Sequence, residues 1–108
     1  MSYSIKEKKA IHHCWLSLGS NCEAAANIEK AHHYLSSFFN EIEYSGLMKT
    51  QPIGLHNPSE FINQVAYLQT TFSKEEIIDC LKKIEQYIGR TQKEDENETI
   101  RIDIDLLI

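Results

Sequence analysis

From Ile100 the chain alternates without a break: Ile100, Ile102, Ile104 and Leu106 fall on one side, Arg101, Asp103 and Asp105 on the other. A period of two belongs to a strand with one buried face, and it predicts a last strand from Ile100 to Ile108. Upstream the period lengthens. Ile77, Leu81, Ile84 and Ile88 recur at helical steps. Ser73 and Glu76 stand three apart ahead of them, the spacing of a capping box in which each side chain satisfies a free backbone N–H. Gly89 follows where a left-handed C-cap residue belongs. An earlier helix from about Glu23 to Phe39 carries Ile28, Ala31, Leu35, Phe38 and Phe39 on one face.

Three more strands are predicted. The first runs from Ala10 to Leu18 and ends in a turn at Gly19, Ser20 and Asn21. The second covers Glu41 to Lys49 and leads into a loop punctuated by Pro52, Gly54, Asn57 and Pro58. The third, Glu60 to Thr70, is rich in aromatic and branched residues. Lys93 to Glu98 reads as an acidic loop.

The order is thus β-α-β-β-α-β. Two helices cover one face of a four-stranded antiparallel sheet, the ferredoxin-like arrangement of the α+β class, expected as a single domain over residues 1–108. The other face is left open. It receives Arg101, Asp103 and Asp105 and, by the same parity, Phe61 and Asn63. Gln64 falls on the covered face, where its amide needs a partner near an edge.

Composition narrows the function classes. The net charge of −5 argues against nucleic acid, which is bound by clustered Lys and Arg. No apolar run approaches the roughly 20 residues of a membrane-spanning helix, and Met1 to Lys9 leads into no signal core. Cys14, Cys22 and Cys80 show no CxxC spacing and fit reduced thiols in the cytoplasm. They match no structural-zinc spacing, and each adjacent pair His12-His13 and His32-His33 offers at most one ligand to a site. Nothing near a cysteine suggests an activated nucleophile.

Asp103 and Asp105 are the strongest chemical signal. Residues two apart on a strand lie about 6.6 Å apart on the same face, and two carboxylates so placed suit Mg²⁺, which takes oxygen ligands and leaves room for phosphates. The same pattern also suits a solvated polar face. Phe61 and Asn63 offer a stacking ring and an amide that both donates and accepts, although an exposed aromatic beside a polar strand residue is the commoner meaning. Gly19-Ser20-Asn21, between a strand and a helix, has amides that can face an anion but lacks phosphate-loop spacing.

These segments together resemble the 6-hydroxymethyl-7,8-dihydropterin pyrophosphokinases. Trp15-Leu16-Ser17-Leu18-Gly19-Ser20-Asn21 is similar to their first strand and turn, and Thr50-Gln51-Pro52-Ile53-Gly54 to the loop that wraps the pterin. Phe61-Ile62-Asn63 resembles their aromatic-x-Asn segment, and Ile84-Glu85 through Gly89-Arg90 the end of their second core helix. Ile102-Asp103-Ile104-Asp105-Leu106-Leu107 resembles their metal-binding strand. Any one of these is common; five in order over residues 15–108 are fairly specific.

The resemblance implies transfer of pyrophosphate from ATP to the hydroxymethyl group of the pterin, a kinase-type transfer in folate biosynthesis. By carry-over Asp103 and Asp105 bridge two Mg²⁺ ions to the triphosphate. Phe61 stacks on the pterin while Asn63 and the backbone near Thr50 and Ile53 read its edges. Glu85, Arg90 and Arg101 fall to the nucleotide, and no catalytic base is assigned.

Two departures bear on turnover. Where the family has an arginine-rich loop, Thr91 to Thr99 carries four acids, and like charge opposes a triphosphate. The family's arginine three residues before the first metal aspartate falls on Ile100, with Arg101 one position late. The family also continues past its metal strand, with further cations and a second aromatic. The expectation is a pyrophosphokinase-family protein with impaired or lost activity. The alternative is a partner-binding module that dimerises through its hydrophobic last edge strand.

Overall fold

A computed structural model of the chain describes residues 10–51 and 59–108. Strand β1 (His12–Ser20) leads into helix α1 (Ala24–Phe38), and two short strands follow, β2 (Glu43–Tyr44) and β3 (Met48–Thr50). Then come β4 (Phe61–Thr70), helix α2 (Lys74–Ile88), a short helix α3 (Gln92–Glu96) and β5 (Asp103–Leu106). The sheet runs β2-β4-β1-β5 with every pairing antiparallel, and β3 also pairs with β4. This is the expected ferredoxin-like order, its second strand split in two.

The split is a β-bulge. Glu43 and Tyr44 face Tyr67 and Ala66, whereas Met48, Lys49 and Thr50 face Asn63, Ile62 and Phe61. From Tyr44 to Met48 the chain advances four residues while β4 advances three, so one extra residue is absorbed. Ser45 stitches the interruption: its N–H donates to Val65 O at 2.9 Å and its Oγ accepts from Val65 N–H at 2.9 Å.

Alternation drives the layering. Cys14, Leu16 and Leu18 of β1, Ala66 and Leu68 of β4, and Ile102 and Ile104 are buried against Ile28, Ala31 and Leu35 of α1 and Ile77, Leu81 and Ile84 of α2. Helix α2 forms because its start and stop are both chemically marked. Ser73 Oγ accepts from Glu76 N–H at 3.1 Å, Glu76 Oε1 accepts from Ser73 N–H at 2.7 Å, and Gly89 closes the helix at φ 110°. Helix α1 has no side-chain cap; Glu23 precedes it in the left-handed region at φ 44°. Gln64, at 5% exposure, lies on the covered face and finds partners, accepting from His32 Nε2 and donating to Ser45 O at 2.8 Å.

Several expectations need correction. Strand β1 continues through Gly19 and Ser20, which pair with Asn63 and Ile62, so Gly19 is a strand residue. Asn21 N–H donates to Ile100 O at 3.0 Å and Cys22 N–H to Ser20 Oγ at 3.3 Å, which commits those two amides of the turn. The last strand begins at Asp103, preceded by a bend at Arg101, so strand parity does not govern Arg101. The acidic stretch contains a helix rather than a loop, capped by Thr91 Oγ1 accepting from Glu94 N–H at 3.2 Å.

Candidate functional site

Across the open face, register sets one row: Asp103 on β5 faces Gly19 on β1, and Gly19 faces Asn63 on β4. Neighbouring strands lie about 4.8 Å apart, so Asp103 and Asn63 stand about 10 Å from each other. Gly19 keeps the floor between them low. A Cβ there would lie 2.9 Å from Asn63 Oδ1 and 3.9 Å from Phe61 Cδ1, so any larger residue would push the amide aside.

On one flank, Asn63 Nδ2 donates to Thr50 Oγ1 at 2.7 Å, and Phe61 pairs with Thr50 across the strands. The bulge makes this possible by turning Thr50 to the open face. Phe61, Asn63 and Thr50, all singled out from sequence, are therefore together. Ile53 lies outside the described residues.

On the other flank, Asp103 and Asp105 border an open groove of about 610 Å³ between α2 and β5, whose walls include Glu85, Arg90 and Asp95. Arg90 is its hub. Its Nη1 donates to Asp103 Oδ1 at 2.8 Å, to Glu85 Oε2 at 3.0 Å and to Ile102 O at 3.4 Å, and its Nε to Asp95 at 3.1 Å. Glu85 Oε2 also accepts from Ile104 N–H at 2.8 Å, filling the outer edge of β5. Among the described residues the groove does not reach Asn63, and the acidic flank and the amide flank meet across Gly19.

The electrostatics follow from this crowding. Burial pushes the Glu85 carboxyl above its usual range, with the Ile104 N–H and Arg90 opposing. Burial pulls the Arg90 guanidinium down, but Asp103, Glu85 and Asp95 outweigh it and hold it above its ordinary value. The Asp105 carboxyl is also raised, first by burial and then by a hydrogen bond and charge from Asp103, which Arg90 only partly offsets. A carboxyl whose proton affinity is raised by a neighbouring carboxylate marks a place where a cation relieves repulsion. They fit Mg²⁺ of the kind that takes one or two carboxylates and completes its shell with water and phosphate. Among the described residues no group of three or more His, Cys, Asp or Glu side chains is placed to hold a metal ion alone.

Arg101 is not beside the aspartates. It extends along the end of α2, where a Cβ on Gly89 would lie 3.8 Å from its Cδ. Its Nε and Nη2 grip the two oxygens of Glu94 at 2.8 and 2.9 Å. Neither this pairing nor that of Arg90 with Asp95 is legible in the sequence. The same holds for Asn21, whose Oδ1 accepts from Ile100 N–H at 2.6 Å and whose Nδ2 donates to Glu98 O at 2.7 Å. The acids between the two arginines stand in plain view in the sequence, five and seven residues from the partners they take, but which arginine each would meet is not visible there. The thiols of Cys14 and Cys80 are pushed up by burial, the opposite of nucleophile activation.

A low glycine floor with two carboxylates at one end and an amide beside an aromatic at the other can hold a metal-bound phosphate chain next to a flat polar ring. Comparison with known proteins points the same way. The family model for 7,8-dihydro-6-hydroxymethylpterin-pyrophosphokinase (HPPK) matches residues 15–108. The 2-amino-4-hydroxy-6-hydroxymethyldihydropteridine pyrophosphokinases of Porphyromonas gingivalis strains ATCC 33277 and W83 are each 30% identical over 104 residues, covering 87% of this chain and 67% of the relative. The chain belongs to the HPPK family of folate-biosynthesis pyrophosphokinases. Among solved structures, the de novo designed protein Foldit4 aligns with a TM-score of 0.47 at 10% identity, over 92% of this chain and 98% of its own. B. subtilis GlnK aligns with a TM-score of 0.44 at 14% identity, over 88% of this chain and 82% of its own. Neither likeness bears on function.

Proposed function

We propose that this chain transfers pyrophosphate from Mg²⁺-bound ATP to 6-hydroxymethyl-7,8-dihydropterin, and does so slowly. The observation that carries the reading is the row Asp103–Gly19–Asn63, which brings the carboxylate pair and the Phe61–Asn63–Thr50 cluster onto one open face. In this reading Asn63 and Thr50 read the pterin edge, Phe61 stacks on its ring, and the pterin hydroxymethyl projects over Gly19 toward the groove. Asp103 and Asp105 would hold Mg²⁺, which would supply the neutralisation of phosphate charge that phosphoryl transfer mainly needs. Arg90 orients Asp103 while facing the phosphates. The hydroxyl oxygen attacks the β-phosphorus, the bond to the α-phosphate oxygen breaks, AMP leaves and the hydroxyl proton passes to solvent.

Slowness follows from the arginines. Asp95 and Glu94 already engage Arg90 and Arg101, so neither guanidinium is available in full to a triphosphate. The alternative of dimerisation through β5 is less well supported, because Glu85 and Arg90 already occupy Ile104 N–H and Ile102 O on that edge. AMP release tests the reading. It is expected only when ATP, Mg²⁺ and the pterin are all present; AMP formed equally without pterin, or none from folded protein, overturns it.

A further inference from the structure

We propose that α3 is a built-in competitor: its carboxylates occupy the arginines at the end of α2 as an anion would, and a polyphosphate displaces them. The inference rests on the nucleotide reading of the groove, which it extends to regulation of that site.

Helix α3 buries none of its residues and adds nothing to the core. Its side-chain ties to the rest of the fold run through charge. Glu94 holds Arg101 in a two-pronged grip, the geometry guanidinium also makes with phosphate. Asp95 meets Arg90 Nε with both oxygens, at 3.2 and 3.1 Å, and stands in the groove wall. Both pairs are partly exposed, with Arg101 and Glu94 at 33% and 28% and Arg90 and Asp95 at 24% and 33%. Ion pairs so placed are weak and screened by salt.

The flanks, by contrast, are pinned. Gly89 N–H and Arg90 N–H both donate to Glu85 O, at 3.1 and 3.0 Å, before the segment begins. Asn21 fastens Glu98 O and both backbone groups of Ile100 after it. What lies between can lift without the core opening. An incoming chain of phosphates presents more charge to Arg90 and Arg101 than two separate carboxylates, so exchange favours the ligand.

Amide hydrogen exchange over residues 91–97, with inorganic tripolyphosphate as the probe, tests this. In wild-type protein, tripolyphosphate is expected to speed exchange in α3 about tenfold while α2 stays unchanged. Raising salt from about 0.1 M to about 1 M, which cuts the screening length from about 10 to about 3 Å, does the same without ligand. E94Q/D95N starts fast and binds tripolyphosphate about tenfold more tightly, a gain of about 1.4 kcal/mol. E41Q/E43Q, which removes equal charge at the β2 side of the sheet, behaves as wild type. The proposal is overturned if α3 exchange ignores both salt and tripolyphosphate, or if E94Q/D95N binds no tighter than E41Q/E43Q. Tripolyphosphate that loosens α3 in a protein releasing no AMP removes the transfer reaction and leaves the competitor standing. AMP release with α3 unmoved removes the competitor alone.

Discussion

At the β2 margin of the sheet, Gln64 bridges His32 and the carbonyl of Ser45, and His32 stacks on Tyr44 with ring centroids 3.8 Å apart. At the β5 margin, Arg90 is divided among Glu85, Asp95 and Asp103. The first network is built around a buried amide, and Gln64 has a fixed partner for each end of it. The second is charged, partly exposed and shared, so any acceptor can yield to another. A satisfied buried amide fixes geometry; an oversubscribed surface arginine permits exchange. The contrast separates a margin that holds the fold from one suited to a ligand.

Experiments can break that contrast. The largest effect is expected from Asp103→Asn, which should cut AMP release by about 100-fold, about 2.7 kcal/mol of barrier. It should move stability by less than about 1 kcal/mol, since Arg90 keeps two acids. Wild-type turnover in this variant would remove the cation assignment. Gln64→Leu comes next, with a loss of about 2 kcal/mol in urea unfolding from stranding the His32 and Ser45 partners. Unfolding indistinguishable from wild type would show that the amide margin is not structural. Glu85→Ala should lose about 1 kcal/mol, because water can reach an edge N–H. That loss should shrink in about 1 M salt, whereas the Gln64→Leu loss should not; equal salt responses would erase the distinction.

The smallest effect concerns pH. Burial pushes the Tyr44 phenol from 10.0 up to about 12. A folded-state value raised above the unfolded one means the fold disfavours phenolate, so stability declines as pH rises from 10 toward 12. Spectrophotometric titration should reveal one late-ionising tyrosine that is missing from Tyr44→Phe. Its ionisation near 10 would show Tyr44 to be more open than its stacking on His32 implies.

Much of the architecture was legible because it depends on local chemistry. Ser73, Glu76 and Gly89 mark a helix by backbone rules alone, and the isoleucines from Ile102 dictate which way Asp103 and Asp105 turn. Gln64 on the covered face likewise announced a need for partners. Other features depend on distant residues and left no local trace. Gly19 looked like a turn glycine because nothing in Leu18-Gly19-Ser20 discloses that β4 and β5 extend alongside it. Arg101 appeared to share the aspartate face until the strand proved to begin two residues later. Of the candidate site, the acids and the Phe61–Asn63–Thr50 cluster were foreseeable from spacing and resemblance. The diversion of both arginines onto α3 was not, since pairing partners are chosen in three dimensions.

The extra residue around Ser45 has an engineering consequence. Removing one residue from 45–47 would take out the bulge and keep Thr50 opposite Phe61, but adding one there, with the bulge still absorbing a single residue, would bring Lys49 opposite Phe61 and swing Thr50 to the opposite surface. One lengthened loop would thus exchange a hydroxyl for an ammonium over the aromatic ring. Length variation here is a dial for ligand chemistry.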